Sequence, residues 1–357
     1  IVDLVQVVDP SQGVNGFTVD GRPIIRAIDP LNAGCDATLT DNTPPTYSNL
    51  SPACFGTGID DFLQLTNGPS FDSHNASLLL SKRFPEGIFT EGGSVNLSFG
   101  YAFSDSEQTI NFRSSTAGSN FDNTPAFDRQ DMAVSQSGFE TRHNFVATLN
   151  WREEFFGDYS TGLGIFFRAA EGRPYSLVFD DFSNDDLKFT DRSSSENNIL
   201  AYIPTGVNDA NLSPQSDPAA VASFLAAIND GTGIVSDLDC NFTPGETVKR
   251  NQCRNGWFFD MDLRFSQELP FLGSLTGVVD DRIELFADVD NFLNLLDSGW
   301  NTRRALGGFD GRVALVDGGV DDDGRYIIDN FDSGDGEAAT FLSSTAWRIQ
   351  IGARYEF

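Results

Sequence analysis

The chain has 357 residues and a formal net charge of -29, with 52 acidic side chains against 23 basic ones. This acidity argues against a nucleic-acid partner, whose phosphates it would repel. It fits an exterior that attracts divalent cations or, alternatively, long loops that their charge keeps soluble. No run of about 18 apolar residues occurs, so a closed β-barrel is the only way in which this sequence could cross a bilayer.

Period-two alternation of apolar and polar side chains predicts about eight strands. In chain order they cover residues 2–8, 74–84, 94–105, 139–152, 159–178, 257–269, 282–296 and 347–357. The one helical signal lies at 217–230, where Asp217 would cap the helix and Pro218 would take its first position.

The predicted connections alternate in length. Short turns lie at 85–93, 155–158 and 270–281, and long loops at about 9–70, 107–138, 179–255 and 297–343. This alternation is typical of an outer-membrane barrel, which has short periplasmic turns and long extracellular loops. It predicts a periplasmic C-terminus.

Four cysteines fall into two local pairs, Cys35 with Cys54 and Cys240 with Cys253, in segments rich in Gly, Pro and Asp. No Cys-x-x-Cys spacing or histidine partner indicates zinc. The pairs predict two loop disulfides and hence an oxidising compartment such as the periplasm or the cell surface. Four free thiols are the alternative.

The last eleven residues, WRIQIGARYEF, form the clearest strand. The side chains predicted to face lipid are Trp347, Ile349, Ile351, Tyr355 and Phe357. Arg348 and Arg354 fall on the other face, and a slip of one residue would turn both into lipid at about 2–4 kcal/mol each near the midplane. A strand of a soluble sandwich could show the same alternation, but aromatic residues at both ends favour a membrane barrel.

Four stretches resemble the Oar-like group of TonB-dependent outer-membrane receptors. They are VDGRPII (19–25), SLLLSKRF (77–84), the pair NGWFFDMDLRFSQELPF (255–271) and RIELFADVDNFLNLLDSGW (282–300), and WRIQIGARYEF (347–357). The surroundings of Asp262 and Asn291 are the most specific part. The resemblance implies a barrel of about 22 strands around a plug domain, and uptake of a large or scarce ligand energised by TonB.

The chain departs from this pattern because it lacks the plug, the TonB-contacting N-terminal segment and the first strands. It begins at Ile1 without a signal peptide, so we expect a mature or truncated piece. An open sheet cannot lie in lipid with bare edges. Either the barrel closes at eight strands, or further strands lie in sequence outside this chain; the long loops favour the second.

An acidic, Gly-rich segment at 317–337 is a candidate Ca²⁺ site. Its ligands would be Asp321, Asp323, Asp329, Asp332 and Asp335. It does not match the EF-hand pattern, and a solvated acidic loop is the alternative.

Four strand carboxylates, Asp260, Asp262, Asp288 and Asp290, predict ion pairs with arginines on the polar face. Contact with a ligand or an ion is the alternative.

The two histidines, His74 and His143, are isolated from other potential ligands, and no nucleophile, zinc-protease or phosphate-loop motif occurs. We therefore expect no enzyme.

These observations predict an all-β fold, the transmembrane antiparallel barrel portion of an outer-membrane receptor that spans residues 1–357. The expected partners are outer-membrane lipid, the barrel-assembly machinery, TonB and an unidentified extracellular ligand. A structural or adhesive barrel with disulfide-tied surface loops is the alternative.

Overall fold

The computed structural model describes most of the chain. The described residues are 5–8, 16–28, 32–40, 46–49, 51–54, 68–110, 112, 114–128, 131–179, 198–229, 240–277, 281–307, 311–332, 339–340 and 345–357. Within them, no helix is both long and apolar enough to cross a membrane.

Strands dominate the fold, and their sheets are mostly antiparallel. The strands are β1 (Val5–Val8), β2 (Ile25–Ile28), β3 (Thr38–Thr40), β4 (Thr46–Ser48), β5 (Ser73–Phe84), β6 (Ser94–Gln108), β7 (Ser135–Gln136), β8 (His143–Phe156), β9 (Tyr159–Ala170), β10 (Pro174–Phe179), β11 (Cys253–Arg254), β12 (Phe258–Pro270), β13 (Arg282–Asp290), β14 (Arg304–Ala305), β15 (Arg312–Val320), β16 (Tyr326–Phe331), β17 (Ala339–Thr340) and β18 (Arg348–Glu356). The helices are α1 (Ala117–Asp122), α2 (Pro218–Asn229), α3 (Leu272–Thr276) and α4 (Phe292–Leu296), with a 3₁₀ turn at Pro52–Cys54.

Seven long strands form one sheet, which we call the meander sheet. Their order is β5-β6-β8-β9-β12-β13-β18, and every neighbouring pair is antiparallel. The short strand β7 adds to the end of β6. Among the described residues the sheet is open, with β5 and β18 at its edges.

The two ends of the meander sheet differ. At one end, the turn end, short connections at 85–93, 157–158 and 271–281 join neighbouring strands, and the chain ends there at Phe357. At the other end, the loop end, residues 109–142, 171–257 and 291–347 connect the strands. Up-and-down topology accounts for this separation, because alternate connections must lie at opposite ends.

Three predicted strands differ from the observed ones. The first prediction, residues 2–8, does not join the meander sheet, because β1 pairs with β2 in a separate hairpin. The predicted strand 159–178 breaks after Ala170, because Pro174 has no N–H to donate and Gly172 lies against the backbone of Asn255, where a Cβ would come within 2.5 Å. The penultimate strand ends at Asp290, because Asn291 adopts the left-handed conformation, with φ 53°, and precedes α4.

Much of the long connecting sequence packs into a second unit, which we call the loop body. It comprises residues 16–24, 174–179, 198–229, 240–255, 306 and 311–332. Its four-stranded sheet has the order β11-β10-β15-β16, with β10 and β15 parallel, and α2 packs against β16. The buried core includes Ile24, Tyr175, Phe179, Tyr202, Phe224 and Ile328.

The predicted helix is present as α2. Asp217 caps it as expected, because its Oδ1 accepts the N–H of Ala219 at 2.8 Å. The structure also contains both predicted disulfides, Cys35–Cys54 and Cys240–Cys253. The second lies at the core of the loop body, where Cys253 belongs to β11.

Candidate functional site

One face of the meander sheet is mostly apolar, although Lys82 of the edge strand β5 lies opposite Leu97 on this face, and we call the face the apolar wall. The alternation within each strand and the pairing register place apolar side chains opposite one another. One row across six strands reads Leu97, Leu149, Ile165, Leu263, Val289 and Ile349. The wall is therefore a property of the whole sheet and not of single strands.

The described part of the chain leaves much of this wall uncovered. Ile351 is 80% exposed and Phe357 is 92% exposed, and both belong to the predicted closing strand. Other exposed members are Leu78, Leu80, Leu97, Phe99, Phe259, Phe265, Leu285, Trp347, Ile349 and Tyr355. Such a continuous apolar surface far exceeds the scattered exposed residues that are normal in soluble proteins.

Aromatic rings gather at both ends of the wall. Near the loop end, Tyr101 stacks on Phe145 with ring centroids 4.6 Å apart, and His143 lies between Tyr101 and Trp257 at 6.1 Å from each. The Oη of Tyr101 lies 2.9 Å from Nδ1 of His143, so this histidine is held within the aromatic cluster.

Near the turn end, the rings belong to two groups. Phe89 lies 6.2 Å from Trp151 and 5.9 Å from Phe155. Tyr355 packs edge-on against Phe271 at 5.2 Å and stacks with Phe357 at 5.6 Å. Between the two aromatic levels the wall carries aliphatic side chains together with Phe99 and Phe167, which lie on either side of Ala147.

The opposite face of the meander sheet is polar and carries cross-strand ion pairs. Arg264 pairs with Asp288 at 3.2 Å, and two further pairs tie the closing strand to β13, Arg348 with Asp290 and Arg354 with Glu284, both at 3.4 Å. The ion pairs expected on the polar face are thus present for Asp288 and Asp290. Each is partly exposed, so each contributes at most about 1 kcal/mol.

The remaining two strand carboxylates have other surroundings. Asp262 accepts the backbone N–H of Asn291 at 2.8 Å, which joins the two residues that mark the most specific part of the family resemblance. Asp260 lies directly opposite Arg168 on β9. The side chain of Asn291 also bonds to the carbonyl of Thr345 and to Asn301, which fixes the chain before the closing strand.

Two carboxylates that the sequence analysis missed hold the turns. Glu153 accepts the N–H groups of Ile88, Phe89 and Thr90 and the indole N–H of Trp151. Asp281 likewise accepts the N–H groups of Gly273 and Ser274 and the hydroxyl of Tyr355. The sequence does not indicate these roles of Glu153 and Asp281, because the hydrogen-bond partners of each include residues that are distant along the chain.

The loop body is attached to the sheet through buried arginines. Arg250 is 6% exposed, and its guanidinium donates to the carbonyls of Gln108, Thr109 and Ala133 and to the hydroxyl of Ser135. Burial lowers the pKa of Arg250 to about 10, so it stays charged at neutral pH.

A second arginine of the loop body forms an ion pair with a buried carboxylate. Arg254 pairs with Glu140 at 2.5 Å, and Glu140 also lies 3.3 Å from Arg142. Glu140 accepts the N–H of Ser106 in β6 as well, so this pair connects the loop body to the end of the sheet.

A hairpin from the start of the chain completes the core of the loop body. Phe17 and Pro23 pair across its turn, where Gly21 adopts φ 87°. Asp20 accepts hydroxyl bonds from Tyr326 at 2.8 Å and Thr247 at 2.6 Å. Burial acts to raise the pKa of Asp20, but hydrogen bonds from these hydroxyls and the charge of Arg22 hold it below its usual range.

The candidate calcium ligands do not converge in the structure. Asp321 and Asp323 both pair with Arg325, at 2.9 and 2.7 Å, while Asp329 and Asp332 are exposed. Asp335 lies outside the described residues. Within those residues, no three His, Cys, Asp or Glu side chains are close enough to hold a metal ion. Calcium binding stays a prediction, which calorimetric titration of the full chain with CaCl₂ would test.

No protein-family model, curated protein sequence or solved structure matches this chain. The apolar wall, the polar face and the loop body are therefore the features from which a function can be inferred.

Proposed function

We propose that the chain forms part of the β-barrel of an outer-membrane, TonB-dependent receptor that takes up an unidentified extracellular ligand. The observation that carries this proposal is the apolar wall, which extends over seven strands, is largely exposed, and is bordered by aromatic rings at both ends. Lipid is the partner that such a surface fits, because a closed sheet satisfies its backbone groups and presents only apolar side chains to the hydrocarbon.

The dimensions of the wall support a bilayer partner. Eight residues separate His143 of one aromatic level from Trp151 of the other, which is roughly 27 Å along the strand. At a strand tilt of about 40°, this corresponds to roughly 20 Å of height, close to the apolar band of about 25 Å in outer-membrane barrels. Seven strands spaced about 4.8 Å apart make the wall roughly 30 Å wide, so its area reaches or exceeds the largest patches on soluble monomers.

The lengths of the connections indicate how the barrel would be oriented in the membrane. In this proposal the turn end faces the periplasm, together with the C-terminus, and the loop end with the loop body faces the outside of the cell. The closing strand, which ends on Phe357, is the segment that the barrel-assembly machinery would receive. The two disulfides agree with a location outside the reducing cytoplasm.

The polar face would line the lumen of the barrel. Its charged side chains are held in cross-strand pairs, as in Arg264 with Asp288, so they present a fixed polar surface to water or to a passing ligand. Transport energised by TonB is the function that we infer from this lumen together with the family resemblance.

Lipid exposure can be measured through tryptophan fluorescence. The first variant of the full chain keeps Trp151, on the wall, and has the other three tryptophans replaced by Phe. After reconstitution into vesicles, we expect brominated lipids to quench the fluorescence of Trp151. The matched control is a second variant that keeps Trp300 and replaces the other three tryptophans by Phe. Trp300 lies between α4 and β14, and its emission should not change in brominated lipid. Equal emission from both variants in brominated and ordinary lipid would contradict the membrane proposal.

One observation favours the adhesive alternative, namely that the loop body has a buried core of its own and a disulfide within it. A folded surface unit could serve attachment as well as ligand capture. Copurification of the full-length protein with TonB from cross-linked cells distinguishes the two functions. A TonB complex supports the receptor, whereas adhesion to a surface or cell without any TonB complex supports the adhesin.

A further inference from the structure

The apolar wall contains a cleft that extends over strands β5, β6, β8 and β9. Its volume is about 400 Å³, within the range of about 300–1,000 Å³ that is common for ligand pockets. The cleft forms where Ala147 lies between Phe99 on β6 and Phe167 on β9, because a single methyl group leaves a depression between two rings. Most of the remaining lining is aliphatic, as at Leu97 and Ile165, so the cleft fits a hydrocarbon chain.

One charged side chain lines the cleft, that of Lys82 in β5. Within the seven long strands, no other lysine or arginine falls on the apolar wall. Arg264, Arg348 and Arg354 lie on the polar face, and each pairs with a carboxylate. Lys82, in contrast, forms no ion pair with any residue that the structure describes, so its charge is available to an anionic group of a ligand.

Lys82 lies close to the turn end of the sheet. It precedes Phe84, the last residue of β5, by two positions, which is roughly 7 Å along the strand and roughly 5 Å of height at a tilt of about 40°. Its Nζ lies 5.4 Å from the centroid of the Phe84 ring, so the ammonium group is directed toward the turn end. Lysines near a membrane interface extend in this way, with the stem in hydrocarbon and the charge at the headgroups.

We propose that the cleft binds an acyl chain of a phospholipid whose anionic headgroup contacts Lys82; this rests on the membrane location proposed above. The lipid belongs to the leaflet at the turn end, because the ammonium group lies at that level. Charge complementarity selects the headgroup, since Lys82 attracts an anionic lipid more strongly than a zwitterionic one. The rest of the chain, with a net charge of -29, offers an anionic lipid little other attraction.

Photo-cross-linking in vesicles tests this lipid site. A photoreactive analogue of phenylalanine replaces Phe99, which lines the cleft, in the full chain. The protein is reconstituted into vesicles of phosphatidylcholine that contain a minor fraction of phosphatidylglycerol, and it is then illuminated. The mass of each adduct identifies the cross-linked lipid. We expect the share of phosphatidylglycerol among the adducts to exceed its share of the vesicle lipid.

Two variants, each with a matched control, test the charge and the cleft separately. Lys82→Met should lower the ratio of phosphatidylglycerol to phosphatidylcholine adducts about fivefold, the factor that one lysine near an anionic lipid surface supplies. Arg83→Met, at the next position and on the polar face, should leave this ratio unchanged. Ala147→Leu fills the cleft and should lower the yield of both adducts. Ala287→Leu, on the wall in β13, should not.

Several results would overturn the lipid site. They are adducts without enrichment of phosphatidylglycerol, an unchanged ratio in Lys82→Met, and a cross-link to a second copy of the chain in place of lipid. Loss of the enrichment on addition of inorganic phosphate would assign Lys82 to a free anion instead. If brominated lipid still quenches Trp151 in the same vesicles, these results leave the membrane proposal intact. Absence of that quenching overturns both proposals.

Discussion

The meander sheet and the loop body use the same kinds of apolar residue in opposite ways. Ile328 and Phe224 in the loop body are fully buried, whereas Ile351 and Phe357 in the closing strand are 80% and 92% exposed. The loop body therefore covers its own apolar surface, whereas the described residues leave the wall of the sheet largely uncovered. The loop body should fold in water, and the sheet should require lipid or detergent.

The largest expected effect comes from the core of the loop body. Phe224→Ala should lower the free energy of unfolding of the loop body by about 3–5 kcal/mol, because it removes a fully buried ring and leaves a cavity. Urea titration followed by limited proteolysis measures this loss. Phe112→Ala, at an exposed phenylalanine, is the control and should cost less than about 0.5 kcal/mol. Similar losses for both would remove the contrast between the two regions.

A charge introduced on the apolar wall should destabilise the folded chain only where lipid covers the wall. Ile351→Arg should lower the stability of the folded chain in vesicles by about 2–4 kcal/mol near the midplane. Gln350→Arg, one residue earlier on the polar face, should be close to neutral. Equilibrium folding into vesicles, followed by heat-modifiable gel mobility, measures both variants. An equal response on the two faces would show that the wall does not contact lipid.

The attachment of the loop body to the sheet should depend on Arg250. Arg250→Met removes the donor of the buried carbonyl group of Gln108 and of the carbonyl group of Ala133, at a cost of about 2 kcal/mol. Hydrogen exchange in residues 105–110 and 131–137 should accelerate, while the middle of the sheet stays protected. Lys249→Met, at the exposed neighbouring position, controls for the loss of one positive charge and should leave exchange unchanged.

The smallest expected effect is a pH dependence within the loop body. The pKa of Asp20 is lower in the folded state than its usual 3.8, so the unfolded chain binds more protons as the pH falls. Its stabilising contribution is present above about pH 4 and is lost as the pH falls through the folded pKa. Asp20→Asn should remove about 1 kcal/mol at pH 7 and less at acidic pH, as measured by urea titration across the range. Asp322→Asn, at an exposed site, is the matched control for the loss of one carboxylate.

The sequence by itself determined the local elements and their faces. Alternation in residues 94–105, 257–269 and 347–357 identified strands of the meander sheet and the side of each that is apolar, because a strand's two faces follow from period two alone. The spacing of cysteines identified both disulfides, and Asp217 with Pro218 identified α2.

Only the tertiary structure decided which strands share a sheet and how the long connections pack. The strand at residues 5–8 shows the alternation of a sheet strand yet pairs with β2, and residues 174–179 leave β9 to form the centre of the loop body. Pairing depends on backbone partners distant in sequence, and alternation carries no information about them. The same holds for Asp20, Arg250 and Glu153, whose roles arise from hydrogen-bond partners that folding brings together from segments far apart in the chain.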